Sequence, residues 1–135
     1  MRGVIEYRKR AQQIIDFKGI RYGNITPTDV DGVIEYKDKA YVYLEYKYGK
    51  KEVPYGQRLF LERAVKDNAK AGKPAIAIVA EHTVKNPEND IPADLCKVRE
   101  IFYSKEMKWR NPKRNFTVKQ LTDAFINLIE QKASF

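Results

Sequence analysis

The stretch TDVDGVIEYKDKAYVYLEYKYGK, residues 28–50, decides the fold. Val30 to Tyr36 and Ala40 to Tyr48 are rich in Val, Ile and Tyr, which favour strands, and the polar Lys37-Asp38-Lys39 between them suits a hairpin turn. Residues two apart on a strand share a face. Tyr41, Tyr43, Glu45 and Lys47 therefore point one way, and Val42, Leu44 and Tyr46 point the other as candidate core. A loop of Lys37 to Lys39 pairs Tyr36 with Ala40, and the same ladder carried on sets Asp31 opposite Glu45 and Asp29 opposite Lys47. Directly opposed side chains have Cβ atoms about 5 Å apart, so two carboxylates there repel unless positive charge lies between them. Lys47 supplies part of that charge. Converging carboxylate oxygens are also what a hard divalent cation such as Mg²⁺ takes. Because Asp and Glu are poor strand formers, a Glu inside an aromatic, β-branched strand asks for a reason.

Outward from the hairpin, residues 4 to 16 place Val4, Tyr7, Ala11, Ile14 and Ile15 at helical spacing, which predicts an amphipathic helix. A turn-rich stretch from Lys18 to Pro27 brackets a short strand. Beyond the hairpin, Tyr55 to Ala71 shows helical period, with Phe60, Leu61, Ala64, Val65 and Asn68 on one side and Arg58, Glu62 and Lys66 on the other; Gly72 stops it. The unbroken apolar run AIAIVAE after Pro74 suits a strand covered on both faces. Asn86 to Pro92 is predicted as loop, Lys97 to Tyr103 as a strand, and Met107 to Asn115 as an irregular basic stretch. Thr117 and Gln120 form a capping box for a closing helix whose buried stripe is Leu121, Ala124, Phe125, Leu128 and Ile129. These elements predict one α/β domain, a central mixed β-sheet flanked by helices in the order α-β-β-β-α-β-(β)-α.

The hairpin resembles the signature of the PD-(D/E)XK nucleases, an Asp entering one strand and Glu-x-Lys ending the next. Asp31 matches the Asp, and Glu45-Tyr46-Lys47 matches the Glu-x-Lys. The resemblance covers roughly residues 5 to 82 and implies a restriction-endonuclease-like fold and metal-dependent hydrolysis of phosphodiester bonds. It implies Asp31, Glu45 and the main-chain carbonyl of Tyr46 as ligands of Mg²⁺ or Mn²⁺, with Lys47 orienting or activating the attacking water. Gln57, at the start of the following helix, is similar to the Gln of recombination-exonuclease nuclease domains, although Leu61 stands where those enzymes carry an aromatic residue, and Thr28 separates Pro27 from the acidic pair. Small relatives such as Holliday-junction resolvases work as homodimers, a contact to which the apolar tail Ala133 to Phe135 is suited.

Each assignment has a plainer counterpart. Asp31, Glu45 and Lys47 also read as solvated strand charges in an ion pair. Asp29 is a second metal ligand or a turn residue after Pro27. Glu6 is a further ligand borne on the first helix or a favourable acid in its first turn. His82, alone at a strand end, has no identified partner. A binding or inhibitory module on the same fold, gripping nucleic acid without cutting it, is the alternative to an enzyme.

Composition narrows the partner. Lys and Arg number 26 against 18 Asp and Glu in 135 residues, a net charge of +8, which favours a polyanion and here nucleic acid, DNA first. Arg8, Lys9 and Arg10, Lys50 and Lys51, and Lys108, Trp109, Arg110, Lys113 and Arg114 are candidate phosphate contacts, with Trp109 able to stack on a base; basic runs of this kind are also ordinary solvated faces. The single Cys96 excludes cysteine metal cages. No apolar stretch approaches the roughly 18 residues a membrane span needs, and the first residues lack the apolar core of a signal peptide, so a cytoplasmic location without a membrane partner is expected.

Overall fold

The structure, a computed structural model, describes residues 3–13 and 16–132. The hairpin forms as its sequence dictates: β1 (Gly32–Tyr36) and β2 (Ala40–Tyr48) are antiparallel, with Tyr36 opposite Ala40 and Gly32 opposite Leu44. Lys37 and Asp38 both adopt left-handed backbone, φ 51° and 59°, a region Asp enters more readily than most residues. The turn is braced by the Glu35 carboxylate, which accepts the Asp38 N–H at 2.6 Å, and by an ion pair between Lys73 and Asp38.

Helix α2 (Tyr55–Lys70) returns the chain so that β3 (Ala75–His82) lies parallel to β2, the crossover that a parallel pair requires. β4 (Lys97–Tyr103) and the two-residue β5 (Trp109–Arg110) follow antiparallel, completing a five-stranded mixed sheet in the order β1-β2-β3-β4-β5. All of Ala75 to Ala80 is buried, as the unbroken apolar run requires of a strand covered on both faces. On one face α2 packs Leu61 and Val65 against Tyr43, Ala77 and Phe102. On the other, α3 (Val118–Lys132) packs Val118, Phe125 and Ile129 against Val42, Ile78 and Ile101. The α3 cap is reciprocal: Thr117 N–H donates to Gln120 Oε1 at 3.0 Å, and Gln120 N–H to Thr117 Oγ1 at 3.1 Å.

Five expectations are corrected. Among the described residues the first helix is only α1 (Arg8–Ala11); Ile14 and Ile15 lie outside them, and Val4, Ile5, Tyr7 and Ala11 are exposed. Glu6 precedes this helix and is not borne on it. The strand expected between Lys18 and Pro27 is a single bridge, Tyr22 to Ile25. Ala124 and Leu128 of α3 face solvent, and Val118 and Ile126 pack in the core in their place. Arg58 and Glu62, placed on the polar side of α2, are half-buried against β4 and β5. Tyr46 and Leu44 join the α3-side core, partly buried, as predicted, while Tyr43 on the opposite side is more deeply buried because α2 covers it. The tail Ala133 to Phe135 lies outside the described residues. Among the described residues no helix is long and apolar enough to cross a membrane.

Candidate active site

The ladder between β1 and β2 stops at Gly32, so neither Asp31 with Glu45 nor Asp29 with Lys47 pairs as the extended register implied. What ends it is chemical: the Asp31 carboxylate takes the place of a backbone acceptor, with Oδ2 accepting the Tyr46 N–H at 2.7 Å. This bond pulls Asp31 against the edge of β2 beside Glu45. The N–H and C=O of one strand residue leave the same edge, so the Tyr46 carbonyl is directed to the side on which Asp31 sits.

Glu45 is 3% exposed and is the buried charged residue of the sheet. Burial pushes its pKa up, and Asp31 pushes it further; Lys47 opposes both, and Asp29 adds a smaller push in the same direction as Asp31. Lys47 Nζ lies 3.2 Å from Glu45 Oε1, the two side chains sharing a face two residues apart. Gln57, in the first turn of α2, accepts from Lys47 Nζ at 3.1 Å through Oε1 and donates from Nε2 to the Asp29 carbonyl at 3.4 Å. One side chain thus ties the catalytic-side lysine to the segment that delivers Asp31. Asp29, Asp31, Glu45, Lys47 and Gln57 are therefore brought together. Glu6 lies in the exposed segment before α1, which borders the 87–91 loop.

The donor set suits a hard cation. Asp31 lies close enough to Glu45 to repel it; among the described residues no three His, Cys, Asp or Glu side chains are grouped to hold a metal ion, so a hard cation placed here would need main-chain, water or substrate oxygens to complete its shell. An unbalanced buried carboxylate beside a second one is the electrostatic situation that a dication relieves.

Of the basic groups, Lys9, Arg10, Lys50, Lys51, Lys108, Lys113 and Arg114 are exposed. Arg8 pairs with Asp90, and Arg110 with Glu106 at 2.7 Å. Trp109 is not an open stacking platform: its Nε1–H donates to Glu62 at 2.9 Å, its ring packs on Phe102 at 5.3 Å, and Arg58 covers it at 4.5 Å. His82 accepts the Val84 N–H at 3.2 Å and rests edge-on against Tyr48.

The residues that sequence reasoning missed lie two strands from Glu45 on the same face, where Val79 stands opposite both Glu45 and Glu100. Arg58 grips Glu100 with two bonds, 3.3 and 2.9 Å. The register shifts between Val79 and Ala80, which face Glu100 and Val98, leaving Arg99 as the extra residue of a bulge. The signal was two adjacent charges, Arg99-Glu100, set between Val98 and the apolar Ile101-Phe102 of one strand. No protein-family model, no curated protein and no solved structure matches this chain.

Proposed function

We propose that this chain is a metal-dependent nuclease with a restriction-endonuclease-like core, hydrolysing phosphodiester bonds of DNA. The observation that carries the proposal is the buried Glu45 carboxylate with Asp31 fastened beside it through the Tyr46 N–H. The hairpin, α2 and the parallel β3 agree with that core, and the net positive charge agrees with a polyanionic substrate.

Asp31, Glu45 and the Tyr46 carbonyl would hold Mg²⁺ or Mn²⁺. When bound, such a cation supplies Lewis-acid polarisation, a counter-charge for the pentacovalent phosphate and a lowered pKa for water. The chain's own residues do the rest. Lys47 carries three N–H donors; the contacts to Glu45 and Gln57 fix the direction of Nζ, and a further donor serves a water or a phosphate oxygen. Gln57 holds Lys47 in that orientation while bracing the entry of Asp31. Water adds to phosphorus, the ester P–O bond breaks, and the proton lost by water ends on the departing oxygen or in solvent.

The test is incubation of the protein with plasmid, linear and branched DNA in Mg²⁺ or Mn²⁺, then in chelator. Cleavage that needs the cation and is lost in Asp31→Asn and Glu45→Gln is expected; a folded protein that cuts none of these substrates, or cuts equally well in chelator, overturns the proposal.

A further inference from the structure

A cleft of about 360 Å³ opens beside the bulge, lined among others by Lys50, Glu81, Lys97, Arg99, Asn111 and Asn115. It unites four segments distant in sequence: the turn after β2, the end of β3, the start of β4, and the stretch after β5. It adjoins the Lys47 site, because Glu81 on its wall is the strand partner of Lys47 on one side and of Lys97 on the other. That carboxylate is therefore flanked by two lysines, and the cleft's remaining acid is Glu52.

Arg99 is the unusual member. Its side chain is 17% exposed and held on two sides: Nη1 donates to the Gly49 carbonyl at 3.4 Å, and Nε lies 3.8 Å from Glu100 Oε2. Its Nη2 is buried and has no hydrogen-bond partner among the described residues. A desolvated guanidinium nitrogen without an acceptor costs free energy, so a small shift of this side chain toward the cleft it lines, where an anion can accept from it, is favoured. The bulge is the backbone device that aims this side chain, and Glu100, itself gripped by Arg58, holds it there. Arg presents a planar fork that matches the oxygens of phosphate.

We infer that this cleft is a phosphodiester subsite: Arg99, with Lys50 and Lys97, takes a backbone phosphate of the same nucleic-acid strand that Glu45 and Lys47 act on. The inference rests on the nuclease proposal for the identity of the polymer. Two strand spacings separate Glu45 from Glu100, roughly 10 Å, within reach of one bound strand. The contact is to the backbone, so it positions the strand and carries no base preference.

The experiment measures fluorescence anisotropy of a short fluorescein-labelled DNA, single-stranded and duplex, in EDTA over a range of salt, for wild type, Arg99→Ala, Arg99→Lys and the double variant Lys50→Ala/Lys97→Ala. Arg99→Ala is expected to bind about tenfold more weakly and to lower the slope of log affinity against log salt by about one, Arg99→Lys to keep the slope, and the double variant to lower it by up to about two. Lys50 and Lys97 are exposed, so the double variant decides the matter if Arg99→Ala does not fold. A folded Arg99→Ala with wild-type affinity and slope overturns the subsite, as does a double variant that binds like wild type. Because binding is read without metal, the two proposals fail separately. A wild type that never cuts but loses affinity on Arg99→Ala keeps the subsite and sinks the nuclease; a wild type that cuts while Arg99→Ala binds unchanged does the reverse.

Discussion

Adding a divalent cation should raise the melting temperature of the wild-type chain and leave Glu45→Gln and Asp31→Asn where they are. With two carboxylates and one carbonyl from the protein, a Kd on the order of 1 mM is expected for Mg²⁺ without DNA. At about ten times Kd, RT ln(1 + [L]/Kd) is about 1.4 kcal/mol, which for a domain of this size is a rise in Tm of roughly 4–7 °C. The pH dependence separates this site from incidental surface binding. Burial first and Asp31 second raise the Glu45 pKa. A carboxyl group with a raised folded-state pKa holds its proton more tightly when folded, so its contribution to stability is fully present below the unfolded pKa and is lost as pH rises through the folded one. Without metal, the Tm of wild type should fall relative to Glu45→Gln as pH climbs out of the ordinary carboxylate range, leaving the Gln variant the more stable near neutrality. The cation runs the other way. It competes with the proton for Glu45, so its stabilisation should appear as pH rises through the same window and vanish as pH falls. Scanning fluorimetry in EDTA, Mg²⁺ and Mn²⁺ across pH reads both effects. Equal cation shifts in wild type and Glu45→Gln, or parallel metal-free pH profiles, would refute the reasoning.

Lys47→Ala should lose turnover by roughly 10² or more, the scale of a positioned acid-base group, while its DNA affinity in chelator stays near wild type; cleavage at the wild-type rate by a folded variant would mean that Glu45-Tyr46-Lys47 is only a strand. Gln57→Ala acts through Lys47, so a fall in kcat of about tenfold with KM little changed is expected, and a change confined to KM would reassign Gln57 to substrate binding. Replacing the exposed Lys113 and Arg114 together should weaken DNA binding alike for every sequence and lower the salt slope by up to about two if both touch phosphate; an unchanged slope removes them from the interface.

The hairpin was legible because its information is local. A short polar turn fixes the register, the period of two assigns the faces, and the pairing of Tyr36 with Ala40 carries the ladder to Gly32 opposite Leu44, one residue short of Asp31, which its bond to the Tyr46 N–H then places. The burial of β3 was legible for the same reason, since an unbroken apolar run has one use in a sheet. What was not legible depends on partners far along the chain. The N-terminal stripe has helical spacing, but short helices need tertiary packing to persist, and Val4, Ile5 and Tyr7 are exposed. Trp109 reads as a base-stacking residue next to Lys108 and Arg110; only the position of α2 turns it into a packing residue under Arg58. The Arg99 bulge likewise needs the register of β3 against β4 to be seen.

Two carboxylates on one face of the sheet, Glu45 and Glu100, are treated differently by the fold. Glu100 is partly buried and is met by a two-bonded Arg58 at 2.9 and 3.3 Å, with Arg99 nearby. That is what a fold does with a buried acid kept for stability, since breaking or omitting the partner of a buried charge is costly. Glu45 sits across Val79 from it, is more deeply buried, and is met by a single lysine on one side and by Asp31 on the other. Asp31 is not drifting there; the Tyr46 N–H holds it at 2.7 Å, so the repulsion is built into the backbone hydrogen bonding. Replacing either acid by its amide would relieve the repulsion with no loss of packing volume. A sequence that holds two acids together, while satisfying a neighbouring one with guanidinium, leaves negative charge at the hairpin that the proposed cation would offset.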